Sequence, residues 1–294
     1  MLWAVFTVIA AGSQTLRNAM QKELTTTLGT VGATHVRFLF GLPFAILFLT
    51  LIVLVSGVRP PPITMPAFAW TLLGALTQIG ATALLLAAMR ERSFVVTIAL
   101  SKTEPVHVAL LGLIFLGDHL TAGMTVAIAL ATIGVVMMSW PKKSADTQMS
   151  WQSAALGIAS GAMFGFAAIG FRGGIKALDT DWFVIAASTI LVLGLVIQTL
   201  TLTVYLLIRD REKLVAIFRA WRPSVTAGFM GAFASQMWFL AFALESAAKV
   251  RTLALVELLF AQLVTRQMFK QKLASREAVG IALMIIGVIV LLNT

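Results

Sequence analysis

Residues 126–135 read VAIALATIGV and residues 279–288 read VGIALMIIGV, so seven of ten positions are identical at an offset of 153 residues. The same offset pairs Glu104 with Glu257 without a gap. The chain is therefore an internal duplication, and each copy carries one glutamate deep inside an apolar segment. Internal repeats are typical of many membrane transporters, whose sites lie where the repeats meet. The two glutamates are consequently the first candidates for function.

The composition excludes an ordinary soluble domain. Apolar residues make up 59% of the chain, charged residues make up 12%, and the mean hydropathy is +0.95, whereas soluble domains contain about 25% charged residues. Apolar runs long enough to cross a bilayer recur, which favours helices over the short alternating strands of a membrane barrel. We therefore predict an all-α, multi-pass membrane protein.

Several function classes are also excluded. The net charge is +10, but the basic residues lie mostly in short connections, as in membrane proteins, so we expect no nucleic-acid partner. The sequence has no cysteine, which excludes thiol catalysis and thiolate metal sites. It also lacks HExxH, GxSxG and nucleotide-binding motifs. We expect no catalytic residues, no cofactor and no metal.

Ten apolar segments follow one another along the chain, five in each half. Because five spans per half is an odd number, the second half must enter the membrane in the opposite orientation. We predict ten transmembrane helices in two inverted five-helix repeats, 1–140 and 151–294, joined by a polar connector at 141–150. The first segment lacks a basic leader, so we expect a retained helix rather than a signal peptide. The segments are 2–20, 31–57, 66–89, 93–117, 121–140, 152–172, 183–208, 224–244, 250–269 and 276–293.

Basic residues in the connections are distributed asymmetrically. Thirteen follow the odd-numbered segments, against three to five on the opposite face, and the basic side of a membrane protein is cytoplasmic. We therefore predict that both termini lie outside the cytoplasm. The thirteen are Lys22, Arg90, Arg92, Lys142, Lys143, Arg209, Arg211, Lys213, Arg219, Arg222, Lys270, Lys272 and Arg276.

Helix four contains the densest polar cluster, SKTEPVH at 101–107. On an uninterrupted helix Ser101, Glu104 and His107 share one face, and Lys102 lies nearly opposite Glu104. Pro105 removes a backbone donor, so we predict a kink beside the cluster. Small residues every four positions at Gly157, Gly161 and Gly165 predict close helix packing in the sixth segment.

A charged group inside a membrane helix indicates a functional role or a compensating partner, since its insertion costs roughly 3 kcal/mol. In the functional interpretation Glu104 or Glu257 exchanges a proton for substrate, and His107 relays protons. The alternative is a structural carboxylate held by hydrogen bonds or by a fixed cation such as Lys102 or Arg251. The glutamate in the second copy is flanked by apolar residues, so we expect the chemistry to centre on Glu104, with Glu257 mainly structural.

Cations outnumber carboxylates inside the apolar segments. Arg17 lies toward the end of helix one and Arg37 in the first turns of helix two. Arginine holds carboxylates and phosphates bidentately, which indicates an anionic or zwitterionic substrate. The alternative is that Arg17, Arg172 and Arg251 extend to the membrane interface.

Three motifs together resemble the drug/metabolite transporter superfamily, EamA branch. They are Arg37-Phe38 in helix two, Glu104-Pro105 in helix four, and LGDHLT at 116–121, where the family pattern has GERLT. The second half keeps Glu257 but has Leu258 where the family commonly has proline. The resemblance implies a ten-helix secondary transporter of the bacterial cytoplasmic membrane with a cavity between its halves. It also implies cytoplasmic termini, opposite to what the loop charges indicate.

We therefore predict a membrane-embedded permease or exporter of a small anionic or zwitterionic metabolite, coupled to protons through Glu104. The substrate- or proton-binding candidates are Glu104, Lys102, His107, Ser101, Glu257, Arg37 and Arg17. A lipid-headgroup flippase is an alternative that uses the same fold, and an intramembrane enzyme is a third. A channel is a fourth alternative, although a channel would not need two gating halves. The expected partners are a small-molecule substrate and membrane lipid, and the sequence leaves monomer and dimer open.

Overall fold

The computed structural model describes residues 1–88, 100–139, 151–260 and 275–294. Every regular element in these ranges is a helix, which confirms the predicted all-helical class. The connector predicted at 141–150 lies outside the described residues. The α-helices are α1 (Leu2–Leu39), α2 (Leu42–Ser56), α3 (Met65–Ala88), α4 (Glu104–Leu116), α5 (Ala122–Ser139), α6 (Trp151–Lys176), α7 (Phe183–Arg209), α8 (Arg211–Arg219), α9 (Trp221–Leu244), α10 (Ala247–Leu253) and α11 (Ser275–Leu292), and a 3₁₀ turn covers Ala254–Val256.

Helices of membrane-spanning length support a multi-pass membrane protein. Within the described ranges, five stretches are long and apolar enough to cross a bilayer. The fourth and ninth predicted segments run partly outside the described residues, so the full set of ten spans stays a prediction. The five stretches are Leu24–Ser56, Met65–Leu85, Ala154–Lys176, Phe183–Arg209 and Trp221–Leu244, and the shorter apolar helices are Glu104–Leu116 and Ala122–Met137.

The chain divides into two compact units. Unit 1 contains Met1–Ile79 and Gly170–Glu245, and unit 2 contains Gly80–Ile169 and Ser246–Thr294. Each unit therefore takes segments from both sequence repeats. A contact within one unit can consequently join residues that lie far apart in the sequence and belong to different repeats.

In unit 1, α1 folds back on itself at Gly29, where φ is 67°. Glycine adopts this left-handed value without the strain that a side chain would introduce. The Gln21 side-chain amide donates to the Ala33 carbonyl at 2.9 Å, whereas twelve residues of straight helix would separate them by about 18 Å. The first two predicted segments are therefore the two arms of a hairpin, and the first arm extends beyond its predicted end at residue 20.

The second arm bends before it continues into α2. A methyl group on Gly41 would lie 2.5 Å from the Arg37 carbonyl oxygen, so a residue with a side chain would not fit this bend. A buried apolar cluster holds the hairpin against α7, α8 and α9 and makes the core of this part of unit 1. Its members are Leu24, Leu28, Ala33, Val36, Leu206, Ile217 and Ala227.

In unit 2, the two sequence stretches that reveal the duplication pack against each other. A methyl group on Gly134 of α5 would lie 2.5 Å from the Gly280 carbonyl oxygen of α11. A methyl group on Gly287 of α11 would lie 2.6 Å from the Ala131 backbone nitrogen of α5. Because Gly134 and Gly287 are equivalent in the two repeats, the same close contact occurs twice. The duplication is therefore visible in the packing as well as in the sequence.

Close packing also occurs on α6, where it was predicted. A methyl group on Gly161 would lie 2.9 Å from the Ser101 carbonyl oxygen, and one on Gly165 would lie 3.2 Å from His107 Cβ. These contacts confirm that Gly161 and Gly165 mark a helix interface. They also place α6 directly beside the polar cluster of the fourth segment.

Candidate functional site

Each of the two equivalent glutamates directly follows an interruption of its α-helix. In the first repeat, the Thr103 N–H donates to the Leu100 carbonyl at 3.1 Å in a tight turn, and α4 then begins at Glu104. In the second repeat, the 3₁₀ turn Ala254–Val256 separates α10 from Glu257. The offset of 153 residues brings the two interruptions to equivalent positions. Short non-α turns within a helix often mark functional hinges.

The interruption in the first repeat takes the place of the kink predicted at Pro105. Pro105 lies in the first turn of α4, where a missing N–H costs no helical hydrogen bond. The second repeat has Leu258 at the equivalent position and is interrupted as well. The break therefore occurs in both repeats and does not depend on proline. Pro105 lies directly after it, in the first turn of α4.

Two ion pairs connect the repeats inside unit 2. The Lys102 ammonium donates to Glu257 Oε1, and Arg251 Nε lies 3.0 Å from Glu104 Oε1. Each glutamate is therefore paired with a cation from the other repeat. The two carboxylates and two cations together form a neutral cluster, which we call the crossed ion pairs.

The crossed ion pairs are largely shielded from solvent. The side chains of Glu257 and Arg251 are each 9% exposed, that of Glu104 is 16% exposed and that of Lys102 is 21% exposed. Isolated charges are costly in such surroundings, and pairing with hydrogen bonds offsets the cost. The removal of one member would leave its partner without compensation, so the four side chains act as a unit.

The helix ends favour this arrangement of charges. Glu104 lies in the first turn of α4, and Arg251 lies in the last turn of α10. The N-terminal end of a helix carries partial positive charge and the C-terminal end partial negative charge. Each side chain therefore lies at the helix end that stabilises its ionised form.

Ser101 and His107 belong to the same region of unit 2. Ser101 is buried, with its carbonyl against Gly161. His107 Nδ1 lies 3.1 Å from the Thr103 carbonyl oxygen. Because a carbonyl oxygen only accepts hydrogen bonds, Nδ1 must carry the ring proton of the neutral imidazole, and Nε2 is then an acceptor.

The first sequence repeat also matches a known family. Residues 1–140 match the model of the EamA-like transporter family. The first repeat of the chain is similar to this family. The finding confirms the resemblance drawn from the Arg37-Phe38, Glu104-Pro105 and LGDHLT motifs. EamA-like proteins are membrane transporters and not enzymes, which favours transport over the intramembrane-enzyme alternative.

A solved structure supports the fold over the whole chain. A crystal structure described simply as that of a protein aligns with a TM-score of 0.70 and 11% identity, covering 98% of this chain and 94% of the other. At this identity the likeness shows the fold alone. No match is found among curated proteins.

The structure distributes the predicted site residues over both units. Unit 2 brings together Ser101, Lys102, Glu104, His107 and Glu257, and unit 1 contains Arg17 and Arg37. The expectation that the chemistry centres on Glu104, with Glu257 mainly structural, stays a prediction, but Glu257 is not isolated from the polar residues of the first repeat. Apolar residues flank Glu257 along its own helix, but the side chain of Lys102 reaches it from the first repeat.

The relation predicted between Lys102 and Glu104 changes for a similar reason. Helical projection placed the two side chains nearly opposite, but the turn before α4 means that they are not on one continuous helix. Lys102 is instead paired with Glu257 of the second repeat. Helical periodicity describes a single helix, so it could not identify a partner 155 residues away.

Arg251 is the site residue that the sequence placed least well. Interfacial exposure was one interpretation of it, but Arg251 is 8% exposed and is paired with Glu104. A partial signal is present in the sequence: Lys102 precedes Glu104 by two residues, and Arg251 precedes Glu257 by six residues. Arg172 is also engaged inside the protein, since its Nε donates to the Glu245 carbonyl at 2.9 Å.

Proposed function

We propose that this protein is a secondary transporter of a small anionic or zwitterionic metabolite in the bacterial cytoplasmic membrane, coupled to protons through Glu104. The observation that carries the proposal is the crossed ion pairs of unit 2, which place two exchangeable carboxylate–cation contacts beside interrupted helices. Interrupted membrane helices are the usual form of transporter binding sites. The ten spans in two inverted repeats, with both termini outside the cytoplasm, are part of this proposal.

An anionic substrate can bind by competing with a protein carboxylate. The guanidinium of Arg251 presents donors that suit a carboxylate, whether that of Glu104 or that of a substrate. When the substrate takes Arg251, Glu104 loses its counter-charge in a shielded environment. Uptake of one proton by Glu104 removes that uncompensated charge, so one proton is bound for each substrate carboxylate.

A zwitterionic substrate can engage both ion pairs at once. Its carboxylate would take the place of Glu104 on Arg251, and its ammonium group would take the place of Lys102 on Glu257. The substrate then forms two contacts in place of the two internal ones, and the displaced Glu104 and Lys102 must each find a new counter-charge or change their protonation. This gives Glu257 a role in recognition and leaves proton coupling to Glu104.

We further propose that His107 assists the proton transfer. It lies three residues after Glu104 on α4, and its Nε2 is the acceptor nitrogen when Nδ1 donates to Thr103. A proton can therefore pass between His107 and the Glu104 carboxylate as the Arg251 contact opens.

A reconstituted system tests the proposal. Purified protein in proteoliposomes is screened with labelled anionic and zwitterionic metabolites, with and without a pH gradient. We expect Glu104→Gln to abolish the response of transport to the pH gradient, and Glu257→Gln to raise the substrate concentration needed for half-maximal transport. Glu212→Gln, at an exposed position in α8, is the matched control and should transport as the unmodified protein does. Normal gradient-driven transport by both site variants would overturn the proposal.

A further inference from the structure

The connection between α7 and α9 in unit 1 is a short amphipathic helix, α8. The two helices that it joins are each long and apolar enough to cross a bilayer. α8 covers only the nine residues Arg211–Arg219, whereas a membrane-spanning helix needs about 20. α8 therefore lies at the membrane surface, where the two spans end.

One face of α8 packs into unit 1. Ile217 is fully buried in the apolar cluster that holds the α1 hairpin, and Leu214 packs against the same cluster. The stem of Lys213 lies on the hairpin, because a methyl group on Gly32 would be 3.5 Å from its Cγ. The Lys213 ammonium donates to Asp210 at 2.7 Å. These contacts fix the rotation of α8 and thereby decide which residues face outward.

The opposite face of α8 is exposed although it carries large apolar side chains. Val215 and Phe218 of α8 are 49% and 55% exposed, and Trp221, at the start of α9, is 53% exposed. Arg211, Val215 and Phe218 follow one another at intervals of four and three residues, which places them on one face of the helix. Apolar groups of this size favour an apolar neighbour over water.

The surroundings of this face indicate that the neighbour is lipid. The ring centroid of Phe218 lies 6.4 Å from that of Phe40, and Phe40 belongs to Leu24–Ser56, which is long and apolar enough to cross a bilayer. At the other end of α8, Leu207 and Ile208 of α7 are exposed as well. The outward face of α8 thus lies beside the apolar surfaces of two membrane-spanning stretches.

Basic side chains flank these apolar ones. Residues 209–222 contain five basic and two acidic residues. Arg211, Arg219 and Arg222 are exposed, and Arg222 Cζ lies 5.6 Å from the ring centroid of Trp221. Within the part of the chain that the structure describes, none of these three arginines forms an ion pair. Their charges are therefore available to an anion outside the protein.

This combination of side chains suits the headgroup region of an anionic bilayer. Aromatic residues favour the boundary between acyl chains and headgroups, and amphipathic helices with basic polar residues bind in the plane of this boundary. The arginine guanidinium binds phosphate oxygens through paired hydrogen bonds. Each basic residue close to an anionic surface strengthens the attachment by up to about fivefold.

We propose that α8 is an interfacial helix that binds anionic phospholipid. Its apolar side chains would lie at the acyl-chain boundary, and its arginines would bind headgroup phosphates. The surface, which we call the interfacial face, consists of Arg211, Val215, Phe218, Arg219, Trp221 and Arg222. The inference concerns the lipid partner of the protein and does not rest on the proposed transport mechanism.

A single fluorescent label tests what the interfacial face contacts. The chain has no cysteine, so Val215→Cys provides one thiol for a label. The labelled full-length protein is reconstituted in phosphatidylcholine bilayers that contain brominated phosphatidylcholine or, at equal mole fraction, brominated phosphatidylglycerol. Bromine quenches a label that touches the lipid. We expect both lipids to quench, and the quenching curves to give phosphatidylglycerol an affinity at least about fivefold higher.

Substitutions in the labelled protein identify the residues responsible. Arg219→Gln/Arg222→Gln should reduce the preference for phosphatidylglycerol to about one, because it removes two of the exposed charges. Arg219→Lys/Arg222→Lys keeps both charges and should retain most of the preference. Arg59→Gln is the matched control, since Arg59 is an exposed arginine in the connection after α2. It should leave the preference unchanged.

Iodide, a quencher dissolved in the water, shows the alternative surroundings. Strong quenching by iodide with weak quenching by lipid would place the interfacial face in water, and protection from both quenchers would show that protein covers it. Either result overturns the proposal. Equal affinities for the two lipids, or an equal loss of preference in Arg59→Gln, overturns it as well. A normal pH-gradient response in Glu104→Gln would overturn the transport mechanism and leave this lipid preference standing.

Discussion

Glu104 and Glu257 occupy equivalent positions 153 residues apart, and each is neutralised by a cation that belongs to the other repeat. The two cations are not equivalent, since the same offset pairs Lys102 with Leu255 and Arg251 with Ile98. Both pairs join the two repeats, so neither repeat can form the site by itself. The crossed ion pairs therefore connect the two copies chemically.

The Arg251–Glu104 pair should be strongly coupled. We expect Arg251→Gln to lower the free energy of unfolding by about 3 kcal/mol, because it leaves a shielded carboxylate without its counter-charge. The double variant Arg251→Gln/Glu104→Gln should recover much of that loss, since it removes both charges. A double-mutant cycle measured by denaturant unfolding in detergent gives the coupling. Additive effects of the two substitutions would contradict the pairing.

Pro105 should be dispensable for the break in its helix. The second repeat is interrupted at the same place with Leu258, so Pro105→Ala should change the unfolding free energy by less than about 1 kcal/mol. Leu113→Pro, in the interior of α4, should cost about 3 kcal/mol or more. Both values come from the same unfolding measurement. A large loss in Pro105→Ala would show that the proline creates the break.

The repeated glycine contact between α5 and α11 gives a symmetric prediction. Gly134→Ala and Gly287→Ala each place a methyl group against backbone atoms at 2.5–2.6 Å. We expect both to lower the unfolding free energy by similar amounts, about 1–3 kcal/mol. Gly12→Ala is the control, because a methyl group there meets no atom within 4 Å, and it should be neutral or stabilising. Clearly unequal losses at the two equivalent glycines would argue against the symmetric packing.

Asp210 gives a prediction about pH. Its carboxylate accepts hydrogen bonds from the Lys213 backbone N–H at 3.0 Å and from Lys213 Nζ at 2.7 Å. These bonds to Lys213 hold the pKa of Asp210 below its ordinary value of 3.8. The depressed pKa stabilises the folded form above the unfolded pKa, and this stabilisation is lost as pH falls through the folded pKa.

Amide hydrogen exchange in α8 checks this effect. Protection of Arg211–Arg219 should be constant from neutral pH to about pH 5, after correction for intrinsic rates, and should fall below about pH 4. Asp210→Ala should expose the same amides at neutral pH, because it removes the helix cap. Asp179→Ala, in the connection before α7, is the control and should leave α8 unchanged. Equal protection of α8 at neutral and acid pH would contradict the prediction.

Topology fusions test the orientation that the loop charges indicate. We expect a C-terminal alkaline phosphatase fusion to be active and a C-terminal green fluorescent fusion to be dark, because the loop charges predict that both termini lie outside the cytoplasm. A fusion in the connector at 141–150, which carries Lys142 and Lys143, should show the reverse pattern. A fluorescent C-terminal fusion would favour the orientation implied by the family resemblance.

Much of the scaffold was predictable from sequence because the signals are local. The apolar runs identify the helices, and the fixed offset identifies Glu104 and Glu257 as equivalent. The spacing of Gly161 and Gly165 correctly marked a packed helix face. The two arms of the hairpin at Gly29 were predictable as segments, but the contact between Gln21 and Ala33 was not, since it depends on the register between the arms.

The sequence by itself determined that this protein is a duplicated, helical membrane protein with equivalent glutamates, Glu104 and Glu257, deep in an apolar segment of each copy. Hydropathy and repetition suffice for this, because lipid requires helices and a fixed offset needs no structure to be seen. Only the tertiary structure decided that Lys102 pairs with Glu257 and that Arg251 pairs with Glu104. Periodicity fixes the face of a helix on which a side chain lies, whereas packing between distant helices selects the charge that it meets.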